Sequence, residues 1–265
     1  LVGSEMCIRD RARLQQKNPY QLKERSDAEA LVKQMSQQNG RVTAIEEKVK
    51  TESAPLPYDL TEIQREANQR YGFSAKKTLS LVQSLYETHK IVTYPRTDSK
   101  YLTNDMKATM KERLQAVADF APEVKGYLKN GGQVVQQAVF NDKKVTDHHA
   151  LLPTEQRARY EKLTTDEQRI YQMIVSRFLM LFAKPHKKQQ QKVTVTFGSE
   201  TFVFNRNTVL EAGWKTTSEE ETSDVAWQKG STVKPEFTIQ KELTTPPKPL
   251  NEGTLSVSYT HLRAH

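Results

Sequence analysis

Two short stretches hold the residue types that could do chemistry. In the first, Ile91-Val92-Thr93-Tyr94-Pro95-Arg96-Thr97-Asp98-Ser99, a β-branched run delivers a tyrosine, a proline ends any regular ladder, and an arginine follows two places on. The phenol is expected at an element end, where it can reach a partner. A tyrosine hydroxyl with an ordinary pKa of ~10 is a poor nucleophile, so attack on a phosphodiester needs nearby positive charge and a proton acceptor. Arg96 offers that charge on a planar fork suited to phosphate oxygens. In the second stretch, Val145-Thr146-Asp147-His148-His149-Ala150-Leu151-Leu152-Pro153-Thr154, two histidines follow an aspartate. The triplet could ligate a metal, yet no Asp-x-Asp occurs elsewhere to complete a ligand set. Each stretch also has a plain structural reading: Tyr-Pro is an ordinary turn dipeptide, and a histidine is often a packing residue.

The elements that must position these groups follow from caps and periodicity. Ser26-Asp27-Ala28-Glu29 has the form of a capping box before Ala30, Leu31 and Met35, and Asn39-Gly40 marks a turn into a strand carrying Val42, Ala44 and Ile45. Ser53-Ala54-Pro55-Leu56-Pro57-Tyr58 is a proline-stiffened crossing suited to a boundary. Thr61-Glu62-Ile63-Gln64 is a second capping box, with Leu60, Ile63, Ala67 and Tyr71 on one helical face that Gly72 ends. Ser74 caps another helix, with Leu79, Val82, Leu85 or Tyr86, and then His89 in its stripe, which leads straight into Tyr94; two short helices joined across a glycine form a helix-turn-helix or winged-helix pattern. A third helix starts at Thr103 with Met106, Met110, Leu114 and Val117, and Thr164 or Thr165 caps an apolar helix reaching Phe182. Lys184-Pro185-His186-Lys187-Lys188 reads as a basic loop; Val193, Val195 and Phe197 then alternate, Gly198-Ser199 turns, and Phe202 and Phe204 alternate back as a hairpin. Two more short strands are expected between Val225 and Gln240.

Composition bounds the partners. The chain has 265 residues, 36% hydrophobic and 27% charged, with net charge +8 and a pI near 9.3. That balance suits a polyanion. A single cysteine, Cys7, excludes an internal disulfide and a multi-cysteine zinc site. No glycine spacing forms a phosphate-cradling or dinucleotide loop, so neither ATP nor NAD is expected. No apolar run approaches the ~20 residues of a membrane span and no signal peptide stands out, which favours the cytoplasm. Leu1 to Asp10 and Ser256 to His265 lack periodicity continuous with their neighbours and read as non-native ends of an internal fragment.

The segment Glu87–Ser99 closely resembles the active-site segment of type IA DNA topoisomerases, in particular the bacterial topoisomerase III group. The second stretch is similar to a motif of the same family through its alanine, aliphatic, proline and threonine tail. Asp-His-His is also the signature of manganese-dependent phosphoesterases, an alternative weakened by the missing aspartates; a non-catalytic winged-helix DNA-binding module is the other. The resemblance implies that Tyr94 attacks the DNA backbone and becomes joined to a 5′-phosphate, while Arg96 and His148 steady the phosphate charge. Lys90, Lys100, Thr93, Asp98 and His149 are the implied DNA contacts, and none of these residues is assigned to a metal. It further implies a multidomain α+β fold: a β-rich arch at residues 11–57 and 161–250, an inserted winged-helix-like domain with the tyrosine at 58–160, and an exit at 251–265 toward another domain. Single-stranded DNA is the implied partner, a monomer the expected state, and Mg²⁺ the cofactor of the intact enzyme, held by a Toprim domain not seen here.

Overall fold

The computed structural model describes residues 24–215 and 227–234, the single positions 236, 237, 239 and 246, and the backbone alone of 13–14. The ends read as non-native and the 251–265 exit lie outside them; where two short strands are expected between Val225 and Gln240, the described residues hold one, Thr232–Val233. The fold is a mixture of helices and an antiparallel sheet, divided into two compact units, one built on Ser53–Lys184 and the other on the chain up to Glu52 and on Pro185–Pro246.

The sheet contains β1 (Arg13–Leu14), β2 (Gly40–Glu52), β3 (His186–Phe197), β4 (Glu200–Glu211) and β5 (Thr232–Val233), in the order β1-β4-β3-β2-β5. A two-residue turn joins β3 to β4, because Phe197 pairs with Glu200 and Gly198 supplies φ +59°. Met35 of α1 (Arg25–Met35) closes a core of Val42, Val193, Val195, Phe197, Phe202 and Phe204. Register slips between Val42 and Ala44, and this bulge lets Val42 and Ile45 pack on the same core despite their odd spacing. Beyond Ile45 the ladder continues through polar pairs: Gln189 and Gln191 donate to Glu47 at 2.9 and 2.6 Å, and Gln190 donates to Asn207 at 3.1 Å. The expected basic loop at 184–188 is therefore mostly strand, and His186 is fully buried with Nδ1 3.0 Å from the Ala212 carbonyl.

The other unit holds α2 (Leu60–Tyr71), α3 (Ala75–Glu87), α4 (Met110–Ala116), α5 (Val124–Lys129) and α6 (Thr165–Leu179). Caps explain most boundaries. Ser74 accepts from Lys77 N at 3.1 Å, Gly72 ends α2 at φ +68°, and Thr164 with Glu167 forms a capping box on α6. Two expected caps differ. Asp59, not Thr61, caps α2 by accepting from Glu62 N at 2.6 Å, and α1 starts at Arg25 behind Glu24, with no side-chain cap from Ser26. The expected third helix is a 3-10 turn, Asn104–Thr109, followed by α4, with Met106, Met110 and Leu114 buried as its spacing requires.

The boundary expected at 160 needs correction. α6 packs against α3, and its Ile170, Met173, Ile174 and Phe178 share one core with Ile63, Val82, Leu85 and Leu114. Its apolar stripe is thus covered by helices rather than strands, and the chain returns to the sheet only at Pro185. Arg177 secures the arrangement by donating to the Leu56 carbonyl at 3.1 Å while its guanidinium lies 4.1 Å over the Tyr58 ring.

Gly40 tests the sheet packing. A Cβ there would stand 2.3 Å from two atoms of the Phe197 ring, which is itself wedged against Phe202 and Phe237. Gly40→Ala should destabilise the sheet unit by about 1–3 kcal/mol, read as a lower urea midpoint with unchanged slope; an unaltered midpoint would contradict this packing.

Candidate active site

The site is made by lacing the first stretch to the second. α3 ends at Glu87, and Lys90 turns the chain in the left-handed region at φ +58°, uncommon for a residue with a side chain. Thr154 pins that turn, its Oγ1 donating to the Lys90 carbonyl at 2.8 Å and its N–H to the Ile91 carbonyl at 3.0 Å. Ile91 and Val92 then enter the core at 2% and 1% exposure. The expected strand is an extended segment with one ladder bridge, Val92 to Pro153, because hydroxyl side chains replace most of the ladder.

Those hydroxyls come from the buried side of the segment. Thr93 Oγ1 donates to the Ala150 carbonyl at 3.2 Å and accepts from Leu152 N at 2.9 Å. Thr97 Oγ1 donates to the His148 carbonyl at 3.2 Å, and Ser99 Oγ to the Lys144 carbonyl at 2.9 Å. In an extended chain successive side chains point to opposite faces, so with 93, 97 and 99 turned inward, 94, 96 and 98 are turned outward. Tyr94 is accordingly half-buried, and Arg96 and Asp98 are exposed.

The structure brings Tyr94 and His148 together directly: their ring centroids are 4.2 Å apart at an interplanar angle of 36°. The contact is ring against ring, so the imidazole flanks the phenol. Arg96, two residues along the same exposed face, has neither an ion pair nor a side-chain hydrogen bond among the described residues. Asp98 accepts from Thr146 Oγ1 at 3.0 Å, a second tie between the stretches.

Four of the expected contact residues are placed differently from a free phosphate ligand. Lys100 lies 3.0 Å from Glu62 and 3.7 Å from Asp59, so its charge is already matched by two carboxylates. Thr93 is 9% exposed and its hydroxyl is committed to backbone, which makes it a positioning residue. Asp98 is an acid, and it accepts a hydrogen bond from Thr146. His149 turns inward with Nδ1 2.8 Å from the Ala150 carbonyl, and burial, reinforced by Arg113, pushes its pKa below the usual range so that it is neutral at pH 7. Lys90 is the one cation of this group that keeps an exposed side chain without an ion pair among the described residues.

Several supporting residues are not apparent from sequence patterns. Arg113, 8% exposed, donates to the Pro153 carbonyl at 2.7 Å and pairs with Glu155 at 2.7 Å, bracing the second stretch from beneath. Glu167 accepts from Ser84 Oγ at 2.6 Å and Thr164 N at 2.8 Å, with His89 Nε2 at 3.5 Å, tying the start of α6 to the turn before Tyr94. Burial raises the Glu167 pKa, but the Ser84 and Thr164 hydrogen bonds and His89 outweigh it and hold the carboxyl below its usual range. The one visible signal for the lacing is the Thr93-x-x-x-Thr97-x-Ser99 spacing, with hydroxyls on one side of a strand. No group of three or more His, Cys, Asp or Glu that could hold a metal forms among the described residues, so the Asp147-His148-His149 triplet is not part of a ligand set there.

The segment carrying Tyr94 is thus braced by a second loop, on the helical unit between Glu52 and Pro185. A family model described as DNA topoisomerase matches residues 5–257, and the chain belongs to that family, in its bacterial type IA branch. Within the branch it is similar to proteins named DNA topoisomerase 3: 40% identical to that of Staphylococcus haemolyticus over 86% of this chain and 33% of the relative, and 41% to that of Bacillus licheniformis over 81% and 31%. The Bacillus subtilis relative is 38% identical over 85% of this chain and 33% of its own length. The chain thus spans about a third of the curated relatives it matches. Its fold is like that of full-length topoisomerase I from Thermotoga maritima, with TM-score 0.71, 24% identity and coverage of 95% of this chain and 42% of that one. No helix among the described residues is long and apolar enough to cross a membrane.

Glu167 gives a pH test of the brace. A carboxyl with a depressed folded pKa stabilises the fold above its unfolded value, and this is lost as pH falls through the folded value. Glu167→Gln should therefore cost about 1–3 kcal/mol near neutrality and flatten the decline in stability below about pH 4.5, measured by urea unfolding across pH. An equal loss at every pH would refute the assignment.

Proposed function

We propose that this chain is the tyrosine-bearing part of an ATP-independent type IA DNA topoisomerase that cleaves and rejoins one strand of DNA. What carries the reading is the Tyr94 phenol, flanked by the His148 ring and sharing its face with an uncommitted Arg96. In the forward step the phenolic oxygen forms a bond to phosphorus as the bond from phosphorus to the 3′-oxygen breaks. The phenol gives up its proton, the leaving 3′-oxygen takes one up as a hydroxyl, and the 5′-phosphate stays on Tyr94. Arg96 neutralises charge on the non-bridging oxygens through its fork, with His148 beside it. The new linkage conserves the energy of the phosphodiester, so the 3′-hydroxyl can attack back without a nucleotide cofactor. Passage of another strand between the two steps relaxes or decatenates DNA.

The helical unit serves as the insertion that carries the nucleophile, with α2 and α3 as its winged-helix-type pair and the sheet as part of an arch. Mg²⁺, which the resemblance implies, would be held by a Toprim domain outside this chain; the described residues form no group that fits it, and none of the steps above passes through it. Single-stranded DNA is the substrate that the family resemblance implies.

The test uses the chain completed to the relatives' length, with magnesium and a 3′-labelled single strand, since the fragment retaining the 5′-phosphate carries that label. Denaturation should leave labelled protein, and Tyr94→Phe should abolish the adduct. Arg96→Ala should slow adduct formation by roughly a hundredfold, with Arg96→Lys only partly restoring it because the fork is lost. An undiminished adduct in Tyr94→Phe would defeat the assignment; label released without any adduct would favour hydrolysis.

A further inference from the structure

We infer that Tyr86 is a stacking platform for a nucleobase flanking the phosphate that Tyr94 attacks, an inference that rests on the preceding reading of the site. Tyr86 lies in the last turn of α3 and is 37% exposed; among the described residues it is the one aromatic residue that is exposed rather than buried or half-buried. Scattered exposed apolar residues are ordinary. Its place is not. The ring meets Tyr94 with centroids 5.6 Å apart and planes at 86°, while His148 lies 4.2 Å from Tyr94. A near-perpendicular contact does not stack the two rings face to face, and with 37% of Tyr86 exposed part of its ring is open to solvent beside Tyr94.

The surroundings favour a strand of nucleic acid on that part of the ring. Glu87, the acid next in sequence, is engaged along the helix by Gln83 at 2.9 Å. Lys90 and Arg96, the cations on either side of Tyr94 in sequence, have exposed side chains without ion pairs. Aromatic faces beside free cations are how proteins track single strands without reading sequence, since every base presents a π-face and every linkage a charge. A phosphodiester delivered to the Tyr94 oxygen brings its flanking bases within one nucleotide of that point, the range in which Tyr86 stands.

The experiment uses the chain as it is, with short single-stranded oligonucleotides carrying one 2-aminopurine walked through successive positions; anisotropy reports affinity and fluorescence quenching reports stacking. Quenching should peak at one position for the unaltered chain. Tyr86→Leu should remove that peak and weaken binding roughly five- to tenfold, whereas Tyr86→Phe should preserve both. Melting of both variants should match the parent, because the side chain is exposed. Binding that falls with Arg96→Ala while Tyr86→Leu leaves quenching and affinity intact would overturn the platform and leave the proposed function standing. Binding indifferent to both substitutions, or no binding at all, would overturn the platform together with the site reading.

Discussion

The site depends on one set of interactions, the hydrogen bonds from Thr93, Thr97 and Ser99 to carbonyls of the 144–150 stretch. An extended segment without a partner strand would leave its backbone to water and its side chains free to rotate about it. Here the hydroxyls supply the partner, and because they occupy one face the groups between them are forced onto the other. The orientation of Tyr94 and Arg96 thus follows from the buried hydroxyl residues that alternate with them along the segment. The same bonds carry His148, whose carbonyl accepts from Thr97, to the side of the phenol. Buried hydrogen bonds of this kind each contribute only about 1 kcal/mol of stability, but losing one leaves a polar group unmatched, which makes the register stiff.

Around this lacing the helical unit is a series of braces. Thr154 fixes the left-handed Lys90 turn, Glu167 joins α6 to α3 and His89, and Arg113 holds Pro153 from beneath. Ile91 and Val92 anchor the segment in the core, so the chain emerges at Tyr94 from a fixed point. The free cations and the exposed ring of Tyr86 lie on the side these braces leave open.

Tyr94, Arg96 and His148 stand out by type and order, and the structure places two of them in contact. The assignment of Lys100, Thr93 and His149 to DNA follows from nearness in sequence, which says nothing of whether a carboxylate or a carbonyl has already claimed the side chain. Caps were legible where Ser74 and Thr164 had no competitor, and misassigned at Thr61 because Asp59, two residues earlier, accepts better. The domain boundary at 160 failed for a different reason: an amphipathic helix shows that it has an apolar face, not which surface will cover it. Polar strands such as the outer half of β3 were illegible because no alternation marks them; their pairing follows from cross-strand partners far away in sequence.

β2 and β3 are neighbours in the sheet, and Glu52 stands opposite His186 at the far end of their ladder. Trp214 Nε1 donates to the Glu52 carbonyl at 3.0 Å and Lys215 lies 2.6 Å from its carboxylate, fastening that end. The whole of Ser53–Lys184 therefore departs from and rejoins the sheet through a gate one rung wide. Closing so long an excursion is entropically expensive only once, when that rung forms, and the excursion adds nothing to the burden if it collapses on its own core first. The helical unit is thus topologically a pendant: its fold could be detached, lengthened or exchanged at that gate without rewriting the strand order that holds it.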